Sequence, residues 1–363
     1  MAILCNDFTF LGKNMSSFKT KGQPKYLFVN FEQDPDVALA MDREMEMGET
    51  NRFRTRPNHF YSKWSSTIPL EFDIVKNPCV YGGQEDAIFT DSDIREITKW
   101  LTSTHLPQWL KTDKEYNKDG LRYEGYFSNI ETFSFDGDVY GLKLSFQCTT
   151  PFAYTEDIVN ESTISSYGYL TVKNDSDELN DYCYPKIEIY PKGNGDIFIC
   201  NLSDCKVLQN GTLGGSADFN ALVKVVQEYA KLKGYTIKIG NANGSSVDMT
   251  PICNNTAFQF YLVDRYGEST KCTSFFLPDT KEYRIIVGGF MYMKAYKDLP
   301  VSIDCEKLTI MDDIGRMVTY DKLGISDVDF IYWPRLINGN NSILLSGNCR
   351  FVIKHKESRK VGE

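Results

Sequence analysis

Two long alternating segments, 121–135 and 138–148, flank the dipeptide Asp136-Gly137, and this arrangement constrains the fold most. Asp-Gly between two period-two runs is a strong signal for a tight β-hairpin, because its turn needs a positive φ at both central residues. The segment 68–75 (IPLEFDIV) alternates in the same way, and 26–31 (YLFVNF) is a short apolar run. In 37–47, Val37, Leu39, Met41, Met45 and Met47 fall on one side, with Asp42, Glu44 and Glu46 on the other. Period two argues for a strand there, although Ala, Glu and Met favour helix. Aromatic residues make up 13% of the chain, with 22 Tyr and 23 Phe. That bias suits pleated, half-buried surfaces, so the expectation is a mainly β protein.

Two helices interrupt the strands. The first is predicted over 93–102, with Asp93 as its cap and Glu96 completing a capping box. Ile94, Ile97 and Leu101 share a face with Trp100 beside it, and Pro107 limits extension. The second is predicted over 217–232, after Gly211, Gly214 and Gly215, with Ser216 as cap and Gly234 as stop. Phe219, Leu222, Val223, Val226 and Ala230 form its apolar stripe. The polar run 155–166 reads as a linker or long loop. Strands are expected at 184–190, 196–200, 235–239, 257–263 and 283–295, and short strands return over 298–354. Asn338-Gly339 reads as a second hairpin. The block 209–297 has α+β character between all-β flanks and reads as an insertion. No internal repeat of 20–50 residues is present.

Charge and motif content exclude several function classes. The net charge is −9 with no segregated basic patch, so no nucleic-acid contact is expected. No stretch has the apolar length of a membrane helix, and the N-terminal residues lack the pattern of a signal peptide. The ten Cys are then expected to be reduced thiols, mostly in apolar surroundings. None forms C-x-x-C; Cys200 and Cys205 are the closest pair. His59, His105 and His355 read as surface residues, which leaves neither a zinc set nor a histidine base for a nucleophile. No P-loop, nucleophile elbow or H-E-x-x-H motif occurs. The acidic cluster Asp175, Asp177, Glu178 and Asp181 lacks EF-hand order and reads as a solvated loop. The chain is therefore expected to be no enzyme and to need no cofactor or metal. Tyr261, Tyr266, Tyr292 and Tyr296 are candidates for stacking on sugar rings, although strand aromatics more often pack a core.

Three stretches carry a resemblance. Phe8-Thr9-Phe10-Leu11-Gly12-Lys13-Asn14 resembles an "F-x-F-N-G-x-x" start, with Leu11 where Asn is usual. A middle stretch runs from Trp100-Leu101 through Tyr123-Glu124-Gly125-Tyr126-Phe127 and Gly141-Leu142-Lys143-Leu144-Ser145-Phe146-Gln147-Cys148 to Pro151-Phe152-Ala153-Tyr154. Near the end, Ile303-Asp304-Cys305-Glu306 precedes Trp333-Pro334-Arg335-Leu336-Ile337-Asn338-Gly339-Asn340-Asn341, similar to a "W-P-x-L-x-x-G-x-N" close. In order and spacing these resemble the distal tail proteins of long-tailed bacteriophages. The similarity covers about 1–205 and 298–363.

The resemblance implies an N-terminal belt domain over 1–155, a β-sandwich with one helix and a β-arm. It implies a C-terminal galectin-like β-sandwich over 156–363, interrupted by the 209–297 insertion. Six copies would close into a hexameric ring joining the tail tube to the tail-tip or baseplate hub of the virion. The arm would lie in 37–60, with Val37, Leu39, Met41, Arg52, Arg54 and Arg56 at the ring interface. Implied partners are the tail tube protein and the tail-associated lysin or hub protein. The tape measure protein, a receptor-binding protein and a host-wall saccharide are further candidates, and the chain would be made in the host cytoplasm. Saccharide binding by the sandwich or the insertion is the alternative role.

Overall fold

The computed structural model describes residues 5–29, 41–49, 55–64, 69–81, 87–113, 120–179, 181–239, 250–325 and 331–360, with backbone alone at 41–49, 55–64 and 69. The chain divides into two units, Met1–Glu156 with Ser358–Glu363, and Asp157–Glu357.

The first unit is built on a nine-stranded antiparallel sheet. Its main path runs Lys13–Asn14, Phe8–Phe10, Gln108–Thr112, Arg122–Phe135, Asp138–Cys148, Pro69–Lys76, Tyr26–Val29. Strand Phe152–Tyr154 joins beside Arg122 and pairs with Ser358–Lys360, so the chain's last described strand returns to the first unit. The expected hairpin is present. Asp136 and Gly137 both take positive φ (51° and 87°), which lets the flanking strands pair from Phe135↔Asp138 to Gly125↔Cys148.

Alternation does the sorting. Leu70, Phe72 and Ile74 are buried from one strand, Leu142, Leu144 and Phe146 from its neighbour. Phe8 and Phe10, the two aromatic residues of the opening motif, sit at the centre of this core. Phe8 stacks on Trp100 at 5.7 Å and Phe10 meets Phe127 edge-on at 5.1 Å. Trp100 also donates its indole N–H to the Phe10 carbonyl at 3.3 Å.

Helix α1 spans Asp91–Leu101 and buries Ile97, Trp100 and Leu101. Its cap is Thr90, not Asp93. Thr90 and Asp93 form the capping box, the Asp93 backbone N–H donating to Thr90 Oγ1 and the Thr90 N–H to Asp93 Oδ2. Asp93 is therefore the third residue of the helix. There its carboxylate also binds Lys25 Nζ at 2.6 Å and Lys76 Nζ at 2.7 Å. These two ammonium groups hold the Asp93 carboxyl well below the usual carboxylate range, outweighing the opposing effect of burial.

In the second unit, a five-stranded sheet (Ile158–Ile164, Cys349–His355, Lys186–Pro191, Val301–Asp304, Thr309–Asp312) faces a four-stranded one (Tyr167–Asn174, Gly339–Ser346, Gly195–Asn201, Phe290–Ala295). Their inner faces share one core, which includes Ile187, Ile189, Phe351 and Ile353 from one sheet and Ile197, Ile199, Ile343 and Leu345 from the other. This is a β-sandwich.

Three expectations need correction here. The run 155–166 is mostly strand, because Ile158–Ile164 pairs along its length with Cys349–His355. Asn338-Gly339 turns no hairpin; Gly339 opens strand Gly339–Ser346, and Asn338 Nδ2 donates to the Ser176 carbonyl at 2.7 Å. His355 is buried rather than exposed, its Nε2 2.9 Å from the Lys173 carbonyl.

The α+β block forms a further five-stranded sheet, in the order Lys206–Thr212, Glu282–Val287, Ser269–Phe276, Ala257–Val263, Thr236–Lys238. Helix α2, Phe219–Lys233, packs on it. Its cap is Asp218, which accepts from the Ala221 N–H at 2.9 Å; Ser216 only bonds Asp218 Oδ2. Gly234 ends the helix with a left-handed φ of 72°. The segment expected as one strand over 283–295 breaks at Gly288-Gly289, both at positive φ. Its second half, Phe290–Ala295, belongs to the sandwich, where it pairs with Gly195–Asn201. Alternate faces of the inserted sheet meet different partners. Phe258, Phe260 and Ile285 pack under α2, whereas Ala257, Phe275 and Ile286 join Phe198, Phe290 and Leu344 of the sandwich.

Candidate assembly surfaces

Strands Met41–Glu49 and Thr55–Trp64 pair antiparallel, from Met41↔Trp64 to Glu49↔Thr55, with a bulge between Glu46 and Met47. Among the described residues they form a two-stranded sheet with no third strand. At about 3.3 Å per residue, such a ribbon is on the order of 30 Å long. A two-stranded hairpin by itself is marginal in water, and its outer edges carry unpaired backbone donors and acceptors. Of the residues assigned to a ring interface, Met41 and Arg56 lie on this ribbon, Arg56 opposite Gly48. Val37, Leu39, Arg52 and Arg54 lie outside the described residues.

The four candidate tyrosines do not share a surface. Tyr261 is 4% exposed within strand Ala257–Val263, so its ring faces are covered by protein. Tyr266 is 75% exposed in the following turn, with the Arg265 guanidinium 4.7 Å from its ring. Tyr292 is half-buried on the sandwich strand, its hydroxyl 3.4 Å from the Gly324 carbonyl. Tyr296 follows that strand and is partly exposed.

A different cluster comes together on the sandwich. Arg335 lies with its guanidinium 3.8 Å from the Tyr182 ring and its Nε 2.7 Å from Asp204 Oδ2. The Tyr332 hydroxyl donates to the same carboxylate. Tyr182 and Tyr184 expose part of their rings beside it. Arg335 stands in the Trp333–Asn341 motif, which was the signal for it.

The rest of that motif is structural. Buried Asn341 accepts from the Ile337 N–H at 2.9 Å and from Asn201 Nδ2 at 3.0 Å, and donates to the Ile337 carbonyl at 2.8 Å. Asn201 Nδ2 also reaches the Arg335 carbonyl at 2.7 Å. A loop carrying polar backbone into the sandwich is thereby satisfied by amide side chains.

Among the described residues, no three His, Cys, Asp or Glu gather in a way that could hold a metal ion. No described helix is long and apolar enough to cross a membrane.

Family models match the chain twice, the phage tail protein N-terminal domain over residues 3–150 and the phage tail C-terminal domain over residues 152–213. Together they span more than half of the chain, which belongs to this family of phage tail proteins, components of the virion tail. Among solved structures, the chain is similar to the Dit protein of phage SPP1, described as a paradigm of hub adsorption apparatus in phages infecting Gram-positive hosts. Identity is 12% and the TM-score 0.47, over 96% of this chain and 98% of that one. It is also similar to a chain of the phage P2 baseplate in its activated conformation with calcium, at 9% identity and a TM-score of 0.42, over 99% of both chains. No curated protein matches it.

Proposed function

We propose that this tail protein is a distal tail protein, six copies of which close into a ring joining the tail tube to the tail-tip or baseplate hub. The first unit is the ring-forming belt, the ribbon Met41–Trp64 is its arm, and the second unit is a galectin-like sandwich carrying the inserted sheet. The observation that carries this reading is the ribbon itself, two strands of nine and ten residues paired with each other and joined to no other strand among the described residues. In a ring, a neighbouring copy supplies the missing partner, and contacts that close by rotation leave no free edge. Met41 and Arg56, with Val37, Leu39, Arg52 and Arg54, are assigned to that boundary. The tail tube protein and the tail-associated lysin or hub protein are the axial partners, with the tape measure and receptor-binding proteins adjacent. The chain acts as scaffold and not as enzyme.

The test is native mass spectrometry of the full chain beside a variant in which 41–64 is replaced by a short Gly-Ser bridge. The full chain is expected as a hexamer and the variant as a folded monomer. A full chain that stays monomeric, or a variant that still forms hexamers, contradicts the arm's role.

A second reading, host-wall saccharide binding, is favoured by the partly exposed Tyr182 and Tyr184 beside Arg335, since rings and a guanidinium suit a polyhydroxylated ligand. Glycan-array binding by the full chain that disappears in Tyr182→Ala supports it. Binding that survives the substitution removes this surface from consideration.

A further inference from the structure

The turn leading from the sandwich into the inserted sheet carries two cysteines that the scaffold role leaves unused. Cys200 is the penultimate residue of strand Gly195–Asn201, and Cys205 immediately precedes strand Lys206–Thr212. Between them the chain doubles back. The Asp204 N–H donates to the Asn201 carbonyl at 3.2 Å, and the Ser203 N–H donates to Asn201 Oδ1 at 3.0 Å. Residues flanking such a turn face each other, and both cysteines pack in one apolar cluster with Phe198, Phe290 and Leu344.

The returning chain closes over the pair. At Gly289, where the chain re-enters the sandwich, an added Cβ would lie 2.6 Å from Cys205 Cβ and 2.7 Å from the Asn201 carbonyl oxygen. Only glycine fits so close, and its φ of 72° is one that glycine alone takes freely. The turn is thus clamped between the strand that enters the inserted sheet and the strand that leaves it.

The two thiols are unequal. Cys200 is fully buried, whereas Cys205 is partly exposed. The Cys205 thiol donates to the Leu202 carbonyl at 3.5 Å, and the neighbouring Cys200 holds Cys205 below the usual thiol range while Cys200 itself is raised well above it by Cys205 and by burial. The accessible member is therefore the better thiolate, and the buried member stays protonated beside it. A dithiol that reacts in sequence needs this division, with one sulfur to attack and one to resolve.

We propose that Cys200 and Cys205 are a redox site, closing to a disulfide on reaction with a small-molecule disulfide such as glutathione disulfide. The Cys205 thiolate attacks one sulfur of the oxidant, whose S–S bond breaks and releases one glutathione thiol. Cys200 then loses its proton and attacks the Cys205 sulfur of the mixed disulfide, releasing the second. Two protein thiols are oxidised to one disulfide as one glutathione disulfide is reduced to two thiols. The bond would pin the root of the inserted sheet to the sandwich once the protein leaves a reducing compartment for an oxidising one.

Trypsin provides the readout, because the peptide 193–206 holds both cysteines and no others. The full-length protein is incubated with glutathione disulfide, alkylated without reduction, digested and weighed. The expected peptide is two hydrogens lighter than the dithiol form and carries no alkyl group. Cys200→Ser is expected to stop at a glutathione adduct on Cys205, and Cys205→Ser to leave Cys200 unmodified. A wild-type peptide that remains doubly alkylated, or that accumulates the glutathione adduct without closing, overturns the proposal. The wild-type readout decides even if a variant fails to fold.

Discussion

Leu11 takes a left-handed φ of 52°, directly before Gly12 at 71°. A leucine pays roughly 1 kcal/mol for that conformation, whereas asparagine tolerates it. The asparagine usual at this point of the motif thus has a backbone reason, and Leu11 is 38% exposed, so little burial is at stake. Leu11→Asn is expected to raise stability by roughly 0.5–1 kcal/mol in urea unfolding; a lower midpoint would contradict the account. His355 illustrates what composition hides. Burial holds its imidazole below the usual histidine range, although Glu357 (4.0 Å away), the Lys173 carbonyl and Asp157 pull the other way. As pH falls through about 6.5, the unfolded chain takes up a proton before the folded one, so stability is complete above that pH and declines below it. Thermal midpoints are expected to drop between pH 7.5 and 5.5 in the wild type and to drop less in His355→Gln. Equal slopes would remove His355 as the cause. The helix caps were missed at this same scale. Thr90 and Asp218 lie within three residues of the expected Asp93 and Ser216, and backbone angles rather than residue type decide among neighbouring polar side chains.

Elements were legible where the pattern was local. The hairpin at Asp136-Gly137 could be read because its turn and both strands lie within one stretch of sequence. Strand Ile158–Ile164 could not. It is a solvent-washed edge strand whose one strand partner among the described residues, Cys349–His355, is almost two hundred residues away, and Arg350 Nε meets Glu161 across the pair at 2.6 Å. Asn338-Gly339 misleads because Gly339 alone has a positive φ there, whereas a tight hairpin turn needs two. The α+β block was visible as a change of pattern, but its attachment was not. Phe275 of the inserted sheet stands 5.5 Å from Phe198 and 5.7 Å from Phe290 of the sandwich, so the two share a core. Phe275→Ala is expected to cost about 3–5 kcal/mol in chemical denaturation, the range for a buried aromatic. Replacing 206–287 by a Gly-Ser bridge keeps every sandwich strand yet uncovers Phe198, Phe290 and Leu344, and is expected to yield aggregate in size-exclusion chromatography. A monodisperse deletion protein would show the sheet to be an independent appendage.

At the scale of the whole molecule, the β-rich character followed from period-two alternation and aromatic content, and the family from the order of short motifs along the chain. Phe8, Phe10, Phe127 and Phe146 from those motifs converge on one aromatic core, and Asn341 from another anchors a loop of the sandwich. The candidate sugar contacts do not share one surface, because exposure and sheet membership are properties of the fold: Tyr261 is buried, and Tyr292 lies in a different sheet. The surface around Arg335 was hidden for the same reason, since Tyr182, Asp204 and Arg335 are far apart in sequence. Among the described residues, the strands Met41–Glu49 and Thr55–Trp64 pair only with each other, and the proposed ring gives them a partner in the neighbouring copy. Electron microscopy of the purified full-length protein, with class averages viewed end-on, tests this directly. The account predicts closed rings of six-fold symmetry in which each ribbon adds its strands to the neighbouring copy. Single particles without rotational symmetry at every concentration, or rings in which the ribbon touches no neighbour, would contradict it.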